Sequence, residues 1–415
     1  MKFSHLHVHT QFSLLDGAAA IPALYKKAAA DGQPALAITD HGNMFGVFKF
    51  VAEAGKHKAS TGSAGQDVLA VKPIVGCEFY LVADRTRKTF TRDDKDQRVH
   101  QLLLAKNATG YKNLSKLCSL GYMEGFYSKY PRIDKELVEK CKEGLIATTC
   151  CLGASVPRTI LRKGEAAGEV EFKWWLDLFG EDYYIELQRH GIPEQDQVNA
   201  VLVQWAAKYN VPIIASNDSH YVDQQDANAH DILLCINTGE KQSTPKADDG
   251  DEEGSQKGKR FAFPNDEFFF KTTTQMAKVF SDLPEALDNT NLIVDKIEPL
   301  KLKKDILLPN FQIPDGFVDQ DEYLKHLTYQ GAIRRYLPHP SLALMSNAPL
   351  DAGNSGGIDS LDPKIKERID FELFTIRTMG FSGYFLITQD FINHGRDIGV
   401  LIGPGRGSAA GSVVA

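Results

Sequence analysis

The chain has 415 residues, 47 Lys+Arg against 54 Asp+Glu for a formal net charge of −7, with 43% hydrophobic and 24% charged residues. That composition excludes a disordered, collagenous or coiled-coil chain. It also argues against a binder that relies on overall basic charge, while leaving room for a local nucleic-acid groove. No apolar run reaches the roughly 18 residues that a membrane span needs.

The first segment, Met1-Lys2-Phe3-Ser4-His5, reads as the start of a strand, with no signal peptide. Alternating apolar runs predict strands over 2–9, 35–39, 74–82, 100–105, 144–149, 182–187 and 211–216. Helical periodicity lies between them over 21–30, 111–120, 168–179 and 194–209, with Pro22 and Pro193 near helix starts and Gly32 past a helix end. Strands mostly followed by helices favour parallel pairing, and this many units suit a closed or nearly closed barrel. Three stretches, 60–66, 84–98 and the low-complexity 244–259, read as surface insertions. The six cysteines include no CxxC, and adjacent Cys150-Cys151 is a poor disulfide pair, so the expected setting is reducing and cytoplasmic.

A mostly helical region follows, with helices expected over 275–280, 284–296 and 320–336. A long Pro/Gly/Ser/Asn-rich loop then covers 338–360, before helices over 363–379 and 384–396 and a short strand over 399–402. The expected domains are 1–270 and 271–415. The chain stops at Ala415, just after a Gly/Ser-rich loop, which reads as the end of a fragment.

Nine of the twelve histidines fall before residue 231. His5, His7 and His9 alternate along the first strand and so share a face. Thr39-Asp40-His41-Gly42 closes the second strand, Glu78 lies in the third, and His100 opens the fourth. Cys150-Cys151 follows the fifth strand and Asn217-Asp218-Ser219-His220 the seventh, while Asp16 lies in the loop after the first. In a parallel barrel the strand ends meet at one mouth, where sites are built. Imidazole, carboxylate and thiol together suit Zn, Mn or Fe. They are too many for one tetrahedral ion and fit two or three, with a carboxylate such as Glu78 bridging. Clustered ions about 3.5–4 Å apart can activate water and clamp a phosphoryl group.

Each residue alone has a plainer reading. A lone strand histidine is ordinarily a satisfied core residue, and Cys151 alone is a small buried hydrophobe. Asp40 serves equally as a helix cap or as a group orienting a ligand histidine. His5, His57, His190 and His230 read as structural or exposed. The recurrence at successive strand ends is what points to metal.

The last segment reads GVLIGPGRGSAAGSVVA. Glycines let backbone N–H groups approach a phosphate, Ser408 and Ser412 add hydroxyls, and Arg406 adds a fixed charge. It is neither a P-loop nor a dinucleotide fingerprint, and by composition a flexible linker remains open.

The segments HVHT, FSLLDG, TDHG, GCEFY, RVHQLLLA, TTCCLG and SNDSHY resemble the polymerase-and-histidinol-phosphatase (PHP) domain, in the form that opens the bacterial DNA polymerase III alpha family. The stretch RIDFELFTIRTMGFSGYFLITQDFINHGRDIGVLIGPGRGSAAGSVVA resembles the first part of that family's palm. The resemblance implies a PHP-type distorted (β/α)7 barrel followed by a mostly helical, incomplete palm. It implies metal ligands at His7, His9, Asp16, His41, Glu78, His100, Cys151, Asp218 and His220, Cys151 being chosen over Cys150 by the CLG step. It implies nucleotide-triphosphate contacts at Gly403, Gly405, Arg406, Gly407, Ser408, Gly411 and Ser412. Phe381, Tyr384 and Phe385 read as core.

In function, the resemblance implies template-directed DNA synthesis by the full-length protein, with Mg, primer-template and dNTP, and a sliding clamp and other replicase subunits as partners. This stretch alone is not expected to extend a primer, because Asp390 and Asp397 do not match the family's catalytic pair. The barrel is expected to be a 3′–5′ proofreading exonuclease. The alternatives are a metal-braced scaffold without turnover, or a stand-alone phosphoesterase such as a histidinol phosphatase, which the palm-like region disfavours.

Overall fold

Local chemistry fixes many of the boundaries. Pro22 sits in the first turn of helix Ile21–Ala30, where its missing N–H costs nothing, and Gly32 follows the helix end at φ 68°. Asn107 accepts from the Gly110 N–H to start Ala108–Met123, and Asp134 accepts from Leu137 to start Lys135–Cys141. The structure is a computed structural model that describes residues 2–61, 67–91, 94–247, 258–305, 307–337, 357–403 and 408–415.

The strands are β1 (Ala35–Ile38), β2 (Lys58–Thr61), β3 (Asp67–Leu69), β4 (Lys72–Val82), β5 (Val99–Ala105), β6 (Arg132–Asp134), β7 (Leu145–Thr148), β8 (Tyr183–Gln188) and β9 (Ile213–Ser216). The main sheet runs β1-β4-β5-β7-β8-β9, with β6 beside the far half of β4, and β2 and β3 form a separate antiparallel pair. Residues 5–10 join the two edges of the main sheet. His5 bridges to Leu36 in β1 and Val8 bridges to Ser219 just after β9. The Ala37 N–H donates to the His5 carbonyl, and the His9 N–H to the Ser219 carbonyl. The sheet is thereby curled into a distorted barrel.

Two expectations change in detail. Residues 2–9 form isolated bridges rather than a continuous strand, because their backbone pairs alternately with the two edges. The sheet is also not all parallel, since β5 runs antiparallel to both β4 and β7. The described residues of the charged connection before it contain no crossover helix, and a parallel return would need one. The reversal has a consequence for the site: the start of β5, and His100 with it, faces the same mouth as the ends of β1 and β9.

The chain divides into two compact units, Met1–Leu302 and Lys303–Ala415. The expected division after 270 falls later, because Ile293, Val294 and Ile297 pack into a buried cluster with Leu6, Ala35, Ile74 and Leu104 under the barrel. The Glu298 N–H also donates to the Lys106 carbonyl. In the second unit, helices Gln320–Tyr336, Pro363–Thr378 and Ser382–Asp397 bury Tyr329, Ile369, Leu324, Ile376 and Leu386. The short strand expected over 399–402 does not form. Leu401 is 99% exposed there, and no strand edge lies beside it among the described residues. Most of the long loop expected over 338–360 lies outside the described residues, as do parts of the other three insertions.

Candidate metal centre

Glu78 is the hub. Its carboxylate lies in the middle of β4, 1% exposed, where β1 gives out and the strand passes the barrel mouth. Oε1 is 3.5 Å from His7 Nε2, 3.2 Å from His100 Nδ1, and 3.1 and 3.3 Å from the sulfurs of Cys150 and Cys151. Oε2 is 3.3 Å from His9 Nε2 and 2.9 Å from His41 Nδ1. Asp218 Oδ1 lies 3.3 Å from His7 Nε2 and 3.2 Å from His9 Nε2. Asp16 Oδ2 reaches His41 Nε2 at 2.7 Å and His220 Nε2 at 3.3 Å. All nine residues singled out by the PHP resemblance therefore meet at one mouth.

Backbone geometry helps to aim them. Asp16 sits in a tight turn in which a side chain at Gly17 would overlap the Thr10 carbonyl. Asp218 and Cys150 hold left-handed backbone at φ 43° and 61°, a costly conformation for these residues that the surroundings must impose.

Behind the donors stands a set of buried braces. His7 Nδ1 is 2.7 Å from Glu186 Oε1, and Glu186 itself accepts from Thr148, Ser216 and Gln188. His9 Nδ1 is 3.0 Å from Ser13 Oγ, which donates to Asp40; Asp40 also accepts from the N–H and hydroxyl of Thr10. His220 Nδ1 lies 2.8 Å from the Asp218 carbonyl. Such contacts fix ring orientation and leave the other nitrogen facing the site. Asp40 thus takes the orienting place rather than a donor place. Glu186 and Ser13 escaped sequence reasoning. The usable signal for Glu186 was an acid within the strand YYIELQ, whose six residues are all buried. His5, His190 and His230 are buried, and burial pushes each of them down to about 4.

The electrostatics describe a site crowded with opposite charges. Burial opposes charge on His7, yet Asp218, Glu186 and Glu78 raise its pKa well above 6.5. His41 is likewise raised against burial by Glu78 and Asp16, and His220 by Asp16. Burial works against the Glu78 carboxylate too, but His100, His41 and His7 hold it well below its ordinary value. The two cysteines differ. Burial pushes the Cys150 thiol well up, whereas a hydrogen bond from Cys150 lowers Cys151. Cys151 Sγ is also 3.4 Å from His100 Nδ1.

These donors fit divalent metal. His7 Nε2, His9 Nε2 and Asp218 Oδ1 are buried and make no well-aligned hydrogen bond despite their closeness. Four overlapping groups have all donor atoms within 4.8 Å of one another: His9, His41 and His220; His7, His9 and Glu78; His41, Glu78 and His100; and Glu78, Cys150 and Cys151. Imidazoles with three carboxylates and a thiol match the chemistry of borderline dications.

In the second unit, Gly405, Arg406 and Gly407 lie outside the described residues. Gly403 precedes them, and residues Ser408–Gly411 form a short 3-10 turn. Ser412 Oγ donates to Glu372 Oε2 at 2.7 Å, and the Val413 and Val414 N–H groups donate to the same oxygen.

Residues 5–190 match the family described as the PHP domain, and residues 322–415 match the bacterial DNA polymerase III alpha NTPase domain. Along its whole length the chain is 43% identical to the DNA polymerase III subunit alpha of Borreliella burgdorferi, covering 32% of that protein. It is 39% identical to the one of Thermus aquaticus, covering 35%. The chain thus spans about a third of the length of the curated relatives it matches. Among solved structures, an endonuclease Q complex with a 27-mer duplex carrying an abasic lesion aligns over 52% of this chain and 49% of that one, at 15% identity and a TM-score of 0.30.

Proposed function

The chain belongs to the family of bacterial DNA polymerase III alpha subunits, and from that premise we propose that its barrel is a metal-dependent phosphodiesterase acting on the 3′ end of DNA. The observation that carries the reading is the buried Glu78 carboxylate, with imidazoles around both oxygens and two thiols at Oε1.

His7, His9, Asp16, His41, Glu78, His100, Cys151, Asp218 and His220 would hold two or three ions, Zn, Mn or Fe by donor type. Bound there, such ions supply Lewis acidity toward a phosphodiester and acidify a water. The protein's part is orientation and exclusion of competing partners. Glu186 and Ser13 fix the rings of His7 and His9, and burial keeps bulk water from His7, His9 and Glu78. Hydrolysis adds water to phosphorus and breaks its bond to the O3′ of the preceding sugar. That oxygen leaves with the electron pair and takes a proton, which releases a nucleoside 5′-monophosphate.

The second unit is read as the opening of the palm, with Gly403, Gly405, Arg406, Gly407, Ser408, Gly411 and Ser412 toward a nucleoside triphosphate. In the longer protein, Mg-dependent primer extension in the cytoplasm, with primer-template, dNTP, a sliding clamp and other replicase subunits, completes the proposal.

The test uses the purified chain loaded with Mn or Zn and a primer with a mismatched 3′ end. Mononucleotide release that disappears in a His7→Ala, His9→Ala double variant is the expected result. Equal release by both proteins sinks the reading, and stoichiometric metal with no release would leave the ions as a brace for the barrel.

A further inference from the structure

Glu78 Oε1 faces two sulfurs, whereas the PHP resemblance accounts for one. Cys150 Sγ lies 3.1 Å from that oxygen and Cys151 Sγ 3.3 Å, and the two sulfurs are 3.9 Å apart. His100 Nδ1 stands 3.2 Å from the same oxygen and 3.4 Å from Cys151 Sγ. Tetrahedral zinc with its usual bond lengths spaces two sulfurs about 3.8 Å apart and mixed sulfur, nitrogen and oxygen donors about 3.4–3.6 Å apart. The two sulfurs already have that spacing, and the oxygen sits slightly inside it.

The backbone at Cys150 points the same way. Its φ of 61° is a conformation that glycine takes freely and cysteine takes at a cost. The Cys150 N–H donates to Thr148 Oγ1, which donates to Glu186, so the turn is tied to the buried network that braces His7. What the costly turn secures is a buried thiol against a carboxylate oxygen, and glycine would secure nothing there. Sulfur elsewhere is otherwise engaged. Cys77 donates to the Asp40 carbonyl and Cys118 to the Gly42 carbonyl, and neither Cys141 nor Cys235 belongs to a donor group among the described residues.

We propose that Cys150 is a second thiolate ligand, sharing one ion with Cys151, Glu78 and His100. The ion takes the place of both thiol protons, which leave to solvent. Four protein donors fill a tetrahedral ion, and thiolate favours zinc where carboxylate and imidazole also accept manganese or iron. This position is therefore a closed zinc site that braces the mouth. Contact with substrate falls to ions held by nitrogen and oxygen alone, near His7, His9 and Asp218 and near Asp16, His41 and His220. The inference rests on the metal-holding part of the phosphodiesterase reading and names the ion that takes no part in turnover.

The test is cobalt and cadmium substitution of the chelator-stripped chain. Cobalt bound by thiolate gives a sulfur-to-metal charge-transfer band in the near ultraviolet, and the other donor groups hold no sulfur. Cys150→Ser should lose about half of that band with the cobalt count unchanged, and Cys151→Ser should do the same, as expected for two equivalent sulfur ligands. The Cys150→Ser, Cys151→Ser pair should abolish it. Cadmium NMR of the wild-type chain needs no variant, and a resonance in the range of two-sulfur coordination is expected; this spectrum decides if Cys150→Ser loses the ion or fails to fold. A full band in Cys150→Ser, or a cadmium resonance typical of one sulfur, would overturn the proposal and leave Cys150 as a hydrogen-bond donor to Glu78. A wild-type chain that binds no cobalt or cadmium would overturn the proposal and the metal-dependent reading together. A two-sulfur signature in a chain that releases no mononucleotide would remove the phosphodiesterase reading and keep the second thiolate.

Discussion

In the first unit the candidate donors come from stretches scattered between residues 7 and 220, whereas in the second unit the candidate phosphate loop is one continuous run from Gly403 to Ser412. The scattered set is well defined in space, because most donors sit at a strand end or beside one and three of them, His7, His9 and His220, have a buried brace behind them. The continuous set has one described anchor, the Glu372 carboxylate under Ser412 to Val414. What matters is how many independent elements constrain a site.

The sharpest way to break that comparison is to remove a brace and leave the donors. Glu186→Gln keeps the volume and most hydrogen bonds around β8 but weakens the hold on His7. It should lower metal affinity about 10–100-fold, the usual cost of losing such a partner, which is about 1.4–2.8 kcal/mol. Equilibrium competition against a chromogenic chelator measures it. Wild-type affinity in Glu186→Gln would mean that the barrel alone positions His7.

A smaller effect comes from pH. In the metal-free chain His7, His41 and His220 are raised above 6.5, so the stability they contribute is complete below pH 6.5 and is lost as pH rises through their raised values. Glu78 and Asp16 are lowered, so their contribution is present above 4.5 and 3.8 respectively and is lost as pH falls through the depressed values. Metal needs neutral imidazoles, so ions should bind more tightly across the upper window in which the metal-free fold weakens. Melting temperatures of chelator-treated and metal-loaded chain should therefore diverge above pH 6.5, the first falling and the second rising, by about 2–4 °C per kcal/mol. Parallel curves would mean that the imidazoles are neutral without metal.

Much of this was legible beforehand, and the exceptions have physical causes. Helix Ile21–Ala30 appears where Pro22 and Gly32 predicted it, and Gln320–Tyr336 where its periodicity did, because both carry their own punctuation. The donor types at strand ends were readable because barrel topology makes strand ends meet. The antiparallel β5 was not readable, since direction depends on whether a connection crosses the sheet, and a charged loop looks alike either way. His100 was nonetheless placed in the site, although in an all-parallel barrel the start of a strand would face the other end. Glu186 was missed because a brace has no motif of its own. Its role exists only once β7, β8 and β9 bring Thr148, Ser216 and His7 around it.

The smallest expected effect lies at the other pole of the comparison. Glu372 Oε2 accepts from Ser412 Oγ at 2.7 Å, Val413 N–H at 2.9 Å and Val414 N–H at 3.1 Å, while Oε1 accepts from Arg368 at 2.6 Å. Burial works against this carboxylate, but the four donors hold its pKa below the ordinary value. Arg368 is 53% exposed, so solvent screens that pairing and most of the value lies in the bonds to 412–414. Glu372→Gln should cost about 1–2 kcal/mol, seen as earlier denaturant unfolding of the second unit with the metal content of the first unchanged. If the loop is a triphosphate site, its one described anchor should matter to binding as well as to stability. We therefore expect dNTP affinity in the longer protein to fall together with stability. A Glu372→Gln variant that unfolds earlier yet binds dNTP more tightly would show that Ser412 is held back by Glu372 and must leave it to reach a phosphate.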